Sequence, residues 1–138
     1  MLIIKKREKS APATFTHAFR GSEITLTVRP LDSAEVQKLL KKHTTYVFGK
    51  AEKTSPLERV PVVDNAEFGK DLIDHLLVGF TGFGMSADEP LEVTRENKLL
   101  IISLEPGTGE EPLHEVIQNK ARELAELIAA EAKEETKN

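Results

Sequence analysis

The sequence predicts an α+β chain, mainly α: an N-terminal β-hairpin followed by three short helices and a long C-terminal helix. Three observations carry that expectation. Apolar residues alternate with threonines on both sides of Gly21-Ser22. Helix-start signals recur at Asp32, Asp64 and Thr94. Aliphatic residues at helical spacing run on past Pro112.

Leu2-Ile3-Ile4 reads as a short strand or a frayed end, and Lys5 to Lys9 as a solvated charge run. In the hairpin, Phe15, His17 and Phe19 alternate with Thr16 and Ala18, and Ile24, Leu26 and Val28 with Thr25 and Thr27. Gly21-Ser22 suits a two-residue type II′ turn, which sets Phe19 opposite Ile24, His17 opposite Leu26 and Phe15 opposite Val28. All the large apolar side chains then share one face. Arg29-Pro30 ends the second strand, because the residue before proline is held extended. Asp32 and Glu35 form a capping-box pattern for a short helix with Val36, Leu39 and Leu40 on its apolar face. From Thr44 to Val62 the breakers Gly49, Pro56 and Pro61 predict a long exposed loop.

Asp64 and Glu67 repeat the capping pattern. The stripe Phe68, Leu72, Ile73, Leu76 and Leu77 follows, with Phe68, Leu72 and Leu76 expected to cover the hairpin. Gly79 to Gly84 is a glycine-rich turn, and Thr94 starts a short helix bearing Leu99, Leu100 and Ile101. Glu105-Pro106-Gly107-Thr108-Gly109 marks the boundary between a hairpin-plus-helices domain, 1–104, and a hinged C-terminal helix with a frayed tail, 105–138.

Composition bounds the function. The chain has 138 residues, enough for a core without a disulfide or metal staple. It contains no cysteine, which excludes a cysteine nucleophile, an iron–sulfur cluster and a cysteine-ligated zinc. A net charge of −4 argues against a general nucleic-acid surface. No apolar run approaches the roughly 20 residues of a membrane helix, and charge follows the first apolar residues, the reverse of a signal peptide. The expected compartment is the cytoplasm.

Motifs that carry chemistry are few in this sequence. His17, His43, His75 and His114 are far apart in sequence, and Asp71 with His75 offers two ligands on one helical turn but no third. The glycine cluster lacks the Gly-Lys-Ser/Thr ending of a phosphate loop and follows a helix rather than a strand. The expectation is therefore a protein that is not an enzyme, with no cofactor and no metal. What remains is apolar surface. Leu113, Ile117, Leu124 and Ile128 form a stripe on the last helix that packs on its own domain or serves as a partner-binding arm. Phe83, Met85 and Leu91, around the glycine turn, are the second candidate surface.

Two runs resemble a known family. Val28-Arg29-Pro30-Leu31-Asp32-Ser33-Ala34-Glu35 is similar to the xVRPL(S/T)xxE lead-in to the first helix of small tail assembly chaperones of long-tailed bacteriophages and prophages. Phe80, Gly82, Asp88, Pro90-Leu91 and Thr94-Arg95-Glu96-Asn97-Lys98-Leu99-Leu100 resemble the family's middle. The likeness spans Glu23 to Leu104. It departs where the family commonly has tryptophan near Phe80 and where Phe83 to Ala87 lengthens the turn. The resemblance implies a non-enzymatic assembly factor that binds the tape measure protein, helps recruit tail-tube subunits and leaves before the virion is complete. It also implies a possible longer, frameshifted form and the host bacterial cytoplasm as the compartment. A homo-oligomer is compatible with it; nucleic acid and membrane are not expected partners. The alternative is a structural phage adaptor or tail or head-tail completion protein that remains in the particle.

Overall fold

The computed structural model describes residues 11–49 and 58–136. In chain order the first elements are β1 (Ala13–Phe19), β2 (Ser22–Val28), α1 (Ser33–Lys42), β3 (Thr44–Gly49), β4 (Glu58–Val63) and α2 (Asn65–Leu76). They are followed by β5 (Leu77–Thr81), β6 (Gly84–Ser86), β7 (Glu89–Pro90), α3 (Arg95–Ile102) and α4 (Leu113–Thr136). The contacts divide the chain into two units. One comprises the chain up to Asp32 together with Ile73 onward, and the other is Ser33–Leu72.

The fold is not mainly α with a lone hairpin. The N-terminal strands belong to a three-stranded antiparallel sheet of order β1-β2-β5, and β3–β4 and β6–β7 form two further two-stranded sheets. Two stretches account for the difference. The segment expected to loop from Thr44 to Val62 pairs with itself, Thr44 opposite Val63 and Val47 opposite Val60, while residues 50–57 of that expectation lie outside the described residues. Pro61 is tolerated there because each strand of a two-stranded ribbon is an edge strand. The second stretch, Leu77 to Thr81, was expected as helix end and glycine turn. It is the third strand, Leu26 opposite Phe80 and Thr27 opposite Gly79.

In the first unit the hairpin turns at Arg20-Gly21, with φ of 50° and 80°. Positive φ at both central residues is the type I′ turn, whose twist matches the strands it joins. The expected Gly21-Ser22 turn is therefore displaced, and the register moves by two residues: Phe19 faces Ser22, His17 faces Ile24 and Phe15 faces Leu26. A two-residue shift leaves every side chain on its predicted face. Arg20 sits in a backbone region that a β-carbon disfavours, and its N–H is held by the Glu110 carboxylate at 2.9 and 3.0 Å. Gly82 has a similar constraint. Its φ is 95°, and a β-carbon there would lie 3.0 Å from Ile24 Cγ2 and 3.1 Å from the Glu23 carbonyl oxygen.

The core is aliphatic and lies wholly in this unit. Among the described residues, every buried apolar side chain belongs to it: Phe19, Ile24, Leu26 and Val28 from the hairpin, Ile73 to Phe80 in part, Ile101, and four residues of α4. Burial of each large aliphatic contributes about 1.5–3 kcal/mol. Backbone ties draw the pieces together. The Arg29 N–H donates to the Leu76 carbonyl at 2.8 Å, where α2 gives way to β5, and the Leu31 N–H donates to the Ala121 carbonyl of α4 at 2.9 Å. Thr94 caps α3, its hydroxyl accepting the Asn97 N–H at 3.1 Å. Lys98 then clamps α3 to the last turn of α2 through the Asp74 carbonyl and carboxylate at 2.9 and 3.0 Å. Of the expected hairpin cover, Leu76 is fully buried while Phe68 and Leu72 are half-buried.

The second unit is α1, the β3–β4 ribbon and the start of α2. Asp64 caps α2, its carboxylate accepting the Glu67 N–H at 3.2 Å. The reciprocal half of the predicted capping box is replaced, because the Asp64 N–H donates to the His43 carbonyl at 2.9 Å.

Candidate functional site

The apolar stripe of the last helix is part of the core. Leu113 and Ile117 have no exposed surface, Leu124 is 6% exposed, and Ile128 is half-buried. Of the covers the sequence allowed, the domain body supplies this one. The segment expected to hinge is also tied down, since Glu110 grips the hairpin turn and Gly107 packs against its carboxylate.

The three residues of the glycine turn have different fates. Phe83 is half-buried in an aromatic cluster, 5.8 Å edge-on from Phe80 and 6.5 Å from Phe19. Leu91 is half-buried and its N–H donates to the Phe83 carbonyl at 2.9 Å, so both residues hold the β6–β7 turn against the sheet. Met85 alone points outward, 75% exposed. One thioether on a small turn is a contact point rather than a site.

Among the described residues, five of the nine exposed large apolar side chains lie in the stretch that the sequence predicts to be a loop. Tyr46, Val47, Phe48, Val60 and Val62 of the β3–β4 ribbon are all exposed, Phe48 at 78%. The register sorts them onto both faces. Tyr46 and Phe48 share a face with Arg59 and Pro61, and Val47 shares the other with Val60, Val62 and Thr45. Arg59 lies opposite Phe48 and reaches diagonally along the face, its guanidinium 4.2 Å from the centre of the Tyr46 ring. A signal was present: β-branched and aromatic residues fill both runs, Tyr46-Val47-Phe48 and Val60 to Val63. The intervening prolines and glycine masked it.

A polar anchor fixes the base of the ribbon. The Thr44 hydroxyl donates to the Leu40 carbonyl at 2.5 Å, so β3 leaves α1 without a free linker. His43, the residue before β3, places Nε2 2.5 Å from Asp71 Oδ2, and Lys42 donates to the same oxygen at 3.0 Å. Asp71 is 7% exposed, the only buried charged side chain among the described residues. A buried carboxylate is stable in such a place only when paired and hydrogen-bonded, and the Lys42 ammonium and the His43 ring nitrogen meet that need. Among the described residues no group of three or more histidine or carboxylate side chains is placed to hold a metal ion.

Charge separates the two units as well. Ser33–Leu72 carries seven Lys and Arg against six Asp and Glu, a net of +1, which leaves −5 on the rest of a chain of net −4. The ribbon therefore sits in the less acidic part, with Arg59 at its aromatic face. Among the described residues no helix is long and apolar enough to cross a membrane. No protein-family model, curated protein or solved structure matches this chain.

Proposed function

We propose that this chain is a non-enzymatic assembly chaperone of a long-tailed phage or prophage, acting in the host cytoplasm, and that the β3–β4 ribbon is its contact surface for the tape measure protein. The observation that carries the reading is the ribbon: aromatic and β-branched side chains exposed on two faces, over a base held by Asp71, His43 and Lys42. Exposed apolar side chains gathered on both faces of one ribbon are costly in water unless a partner covers them. An apolar stripe on a helix suits the Tyr46–Phe48 face, with Arg59 beside it to meet a carboxylate on the helix. The two motif runs, Val28 to Glu35 and Phe80 to Leu100, add the family resemblance and its second partner, the tail-tube protein. Many weak copies along one extended client would act by avidity.

The test is co-expression with the tape measure protein of the same genome. The wild-type chain keeps the client in solution and co-purifies with it. Phe48→Asp together with Val60→Asp keeps the circular dichroism spectrum and loses the client. Undiminished co-purification of that double variant rules the ribbon out as the contact surface. Detection of the chain in purified virions by mass spectrometry contradicts the chaperone reading and favours a resident structural adaptor.

A further inference from the structure

A different edge of the molecule carries a second surface. In the sheet β1-β2-β5, β1 and β5 are the edge strands. β5 has five residues, a glycine at its centre and a bulge in its pairing, all features that blunt an edge. β1 has none of these. It runs seven residues, Ala-Thr-Phe-Thr-His-Ala-Phe, without a charge, a proline or an irregularity in its register. Natural edge strands that remain in water are protected by such devices, so an edge lacking them is one that pairs.

The hairpin register fixes which backbone groups this edge offers. The pair closing a two-residue turn, Phe19 and Ser22, exchanges hydrogen bonds, and the alternation along an antiparallel ladder then turns the N–H and C=O groups of Thr14, Thr16 and Ala18 outward. Among the described residues β1 pairs only with β2. Beside the edge, on the core side of the sheet, a groove of ≈ 280 Å³ runs between β1 and α4, and its lining includes Phe15, His17, Val116 and Lys120 together with the acidic Glu111 and Glu123. Two details of the groove are unusual. His17 Nε2 is buried there without a hydrogen-bond partner, and Lys120 Nζ lies over the Phe15 ring, 5.1 Å from its centre.

We infer that a second copy of this chain occupies the edge, β1 pairing antiparallel with β1 about a two-fold axis at Thr16. The choice of occupant rests on self-complementarity. Centred on Thr16, the outward groups match: Thr16 exchanges both hydrogen bonds with its counterpart, and Thr14 meets Ala18 in each direction. Phe15 then stands beside His17 of the other copy in the closer, non-hydrogen-bonded pair, and no two charges of like sign oppose each other along the strands. The same operation joins two three-stranded sheets into one of six strands and removes both exposed β1 edges. This pairing does not depend on the chaperone reading.

The experiment is sedimentation equilibrium of the full chain, with three variants at the two-fold. The wild type sediments as a dimer. Thr16→Lys, at an exposed position, sets two ammonium groups opposite each other and weakens association by about tenfold or more. Thr16→Pro removes the outward N–H and gives a monomer with an unchanged circular dichroism spectrum. The chain contains no cysteine, so Thr16→Cys reports position directly. Opposed residues of a hydrogen-bonded pair lie about 5.5 Å apart at Cα, within disulfide reach, so this variant cross-links on mild oxidation while exposed Ser22→Cys does not. A wild type that stays monomeric up to about 100 μM overturns the inference. So does a dimer that all three variants leave intact and uncross-linked, which would place the contact on another surface such as the β3–β4 ribbon. A dimer formed only after residues 1–10 are deleted also overturns it, by showing the edge covered within one chain.

Discussion

The two units use their apolar residues in opposite ways. The first unit draws on three strands, the end of α2, α3 and α4 to bury Leu26, Leu76, Ile101, Leu113 and Ile117 completely. In the second unit no apolar side chain among the described residues is fully buried, and its one buried side chain is the carboxylate of Asp71. A segment with few buried apolar contacts opens locally at a lower free energy than the core. The first unit is thus a frame, and the second presents surface. Where a partner covers the ribbon, binding also stabilises the unit that carries it.

The comparison can be broken most severely at α4. Deleting residues 105–138 removes Leu113, Ile117, Ala121 and Leu124 from the core together with the Glu110 grip on the turn. Loss of cooperative unfolding and of the sheet signal in circular dichroism is the expected result; a truncated chain that still folds would return α4 to the role of a detachable arm. Next in size is a matched pair of alanine variants. Leu76→Ala, at a fully buried site in the frame, costs about 2–5 kcal/mol in urea unfolding. Phe48→Ala, at 78% exposure in the ribbon, shifts stability by no more than about 0.5 kcal/mol. Similar losses for both would erase the distinction between the units.

How much of this was legible in the sequence follows the same division. The hairpin faces were readable from alternation alone, since Phe19, Ile24, Leu26 and Val28 are buried as the pattern requires. The register differs from the one Gly21-Ser22 predicts because Arg20 is not a residue that advertises positive φ, and a tertiary contact from Glu110 holds it there. Helix starts at Asp64 and Thr94 were local and readable, through the Glu67 and Asn97 N–H groups each accepts. β5 was not, because Leu76-Leu77-Val78 continues a helical apolar stripe and only pairing with β2 turns it into strand. The ribbon was hidden for a different reason. Pro61 and Gly49 punctuate it as they would a loop, and no buried face existed to show a period of two.

Smaller effects sharpen the contrast. Asp71→Ala leaves the His43 ring and the Lys42 ammonium without their shared acceptor and loosens the base of the ribbon by about 1–3 kcal/mol. The expected signature is faster amide exchange at Thr44 to Phe48 with exchange in β2 unchanged. At the hairpin turn, Arg20→Asn places a residue that tolerates positive φ and keeps the backbone N–H for Glu110. A gain of about 0.5–1 kcal/mol in thermal unfolding is expected, and a loss would mean that the arginine side chain contributes more than its backbone strain costs.

Native-state hydrogen exchange on the free, full-length chain tests the division of labour most directly. The amides of Leu26, Ile101 and Ile117 should exchange only through global unfolding, at the free energy measured with urea. Those of Val47 and Val60 should exchange through local opening, at a free energy lower by at least about 2 kcal/mol and insensitive to denaturant. One common exchange free energy for both sets would mean a single cooperative structure, and would contradict the account of a closed frame bearing an open apolar ribbon.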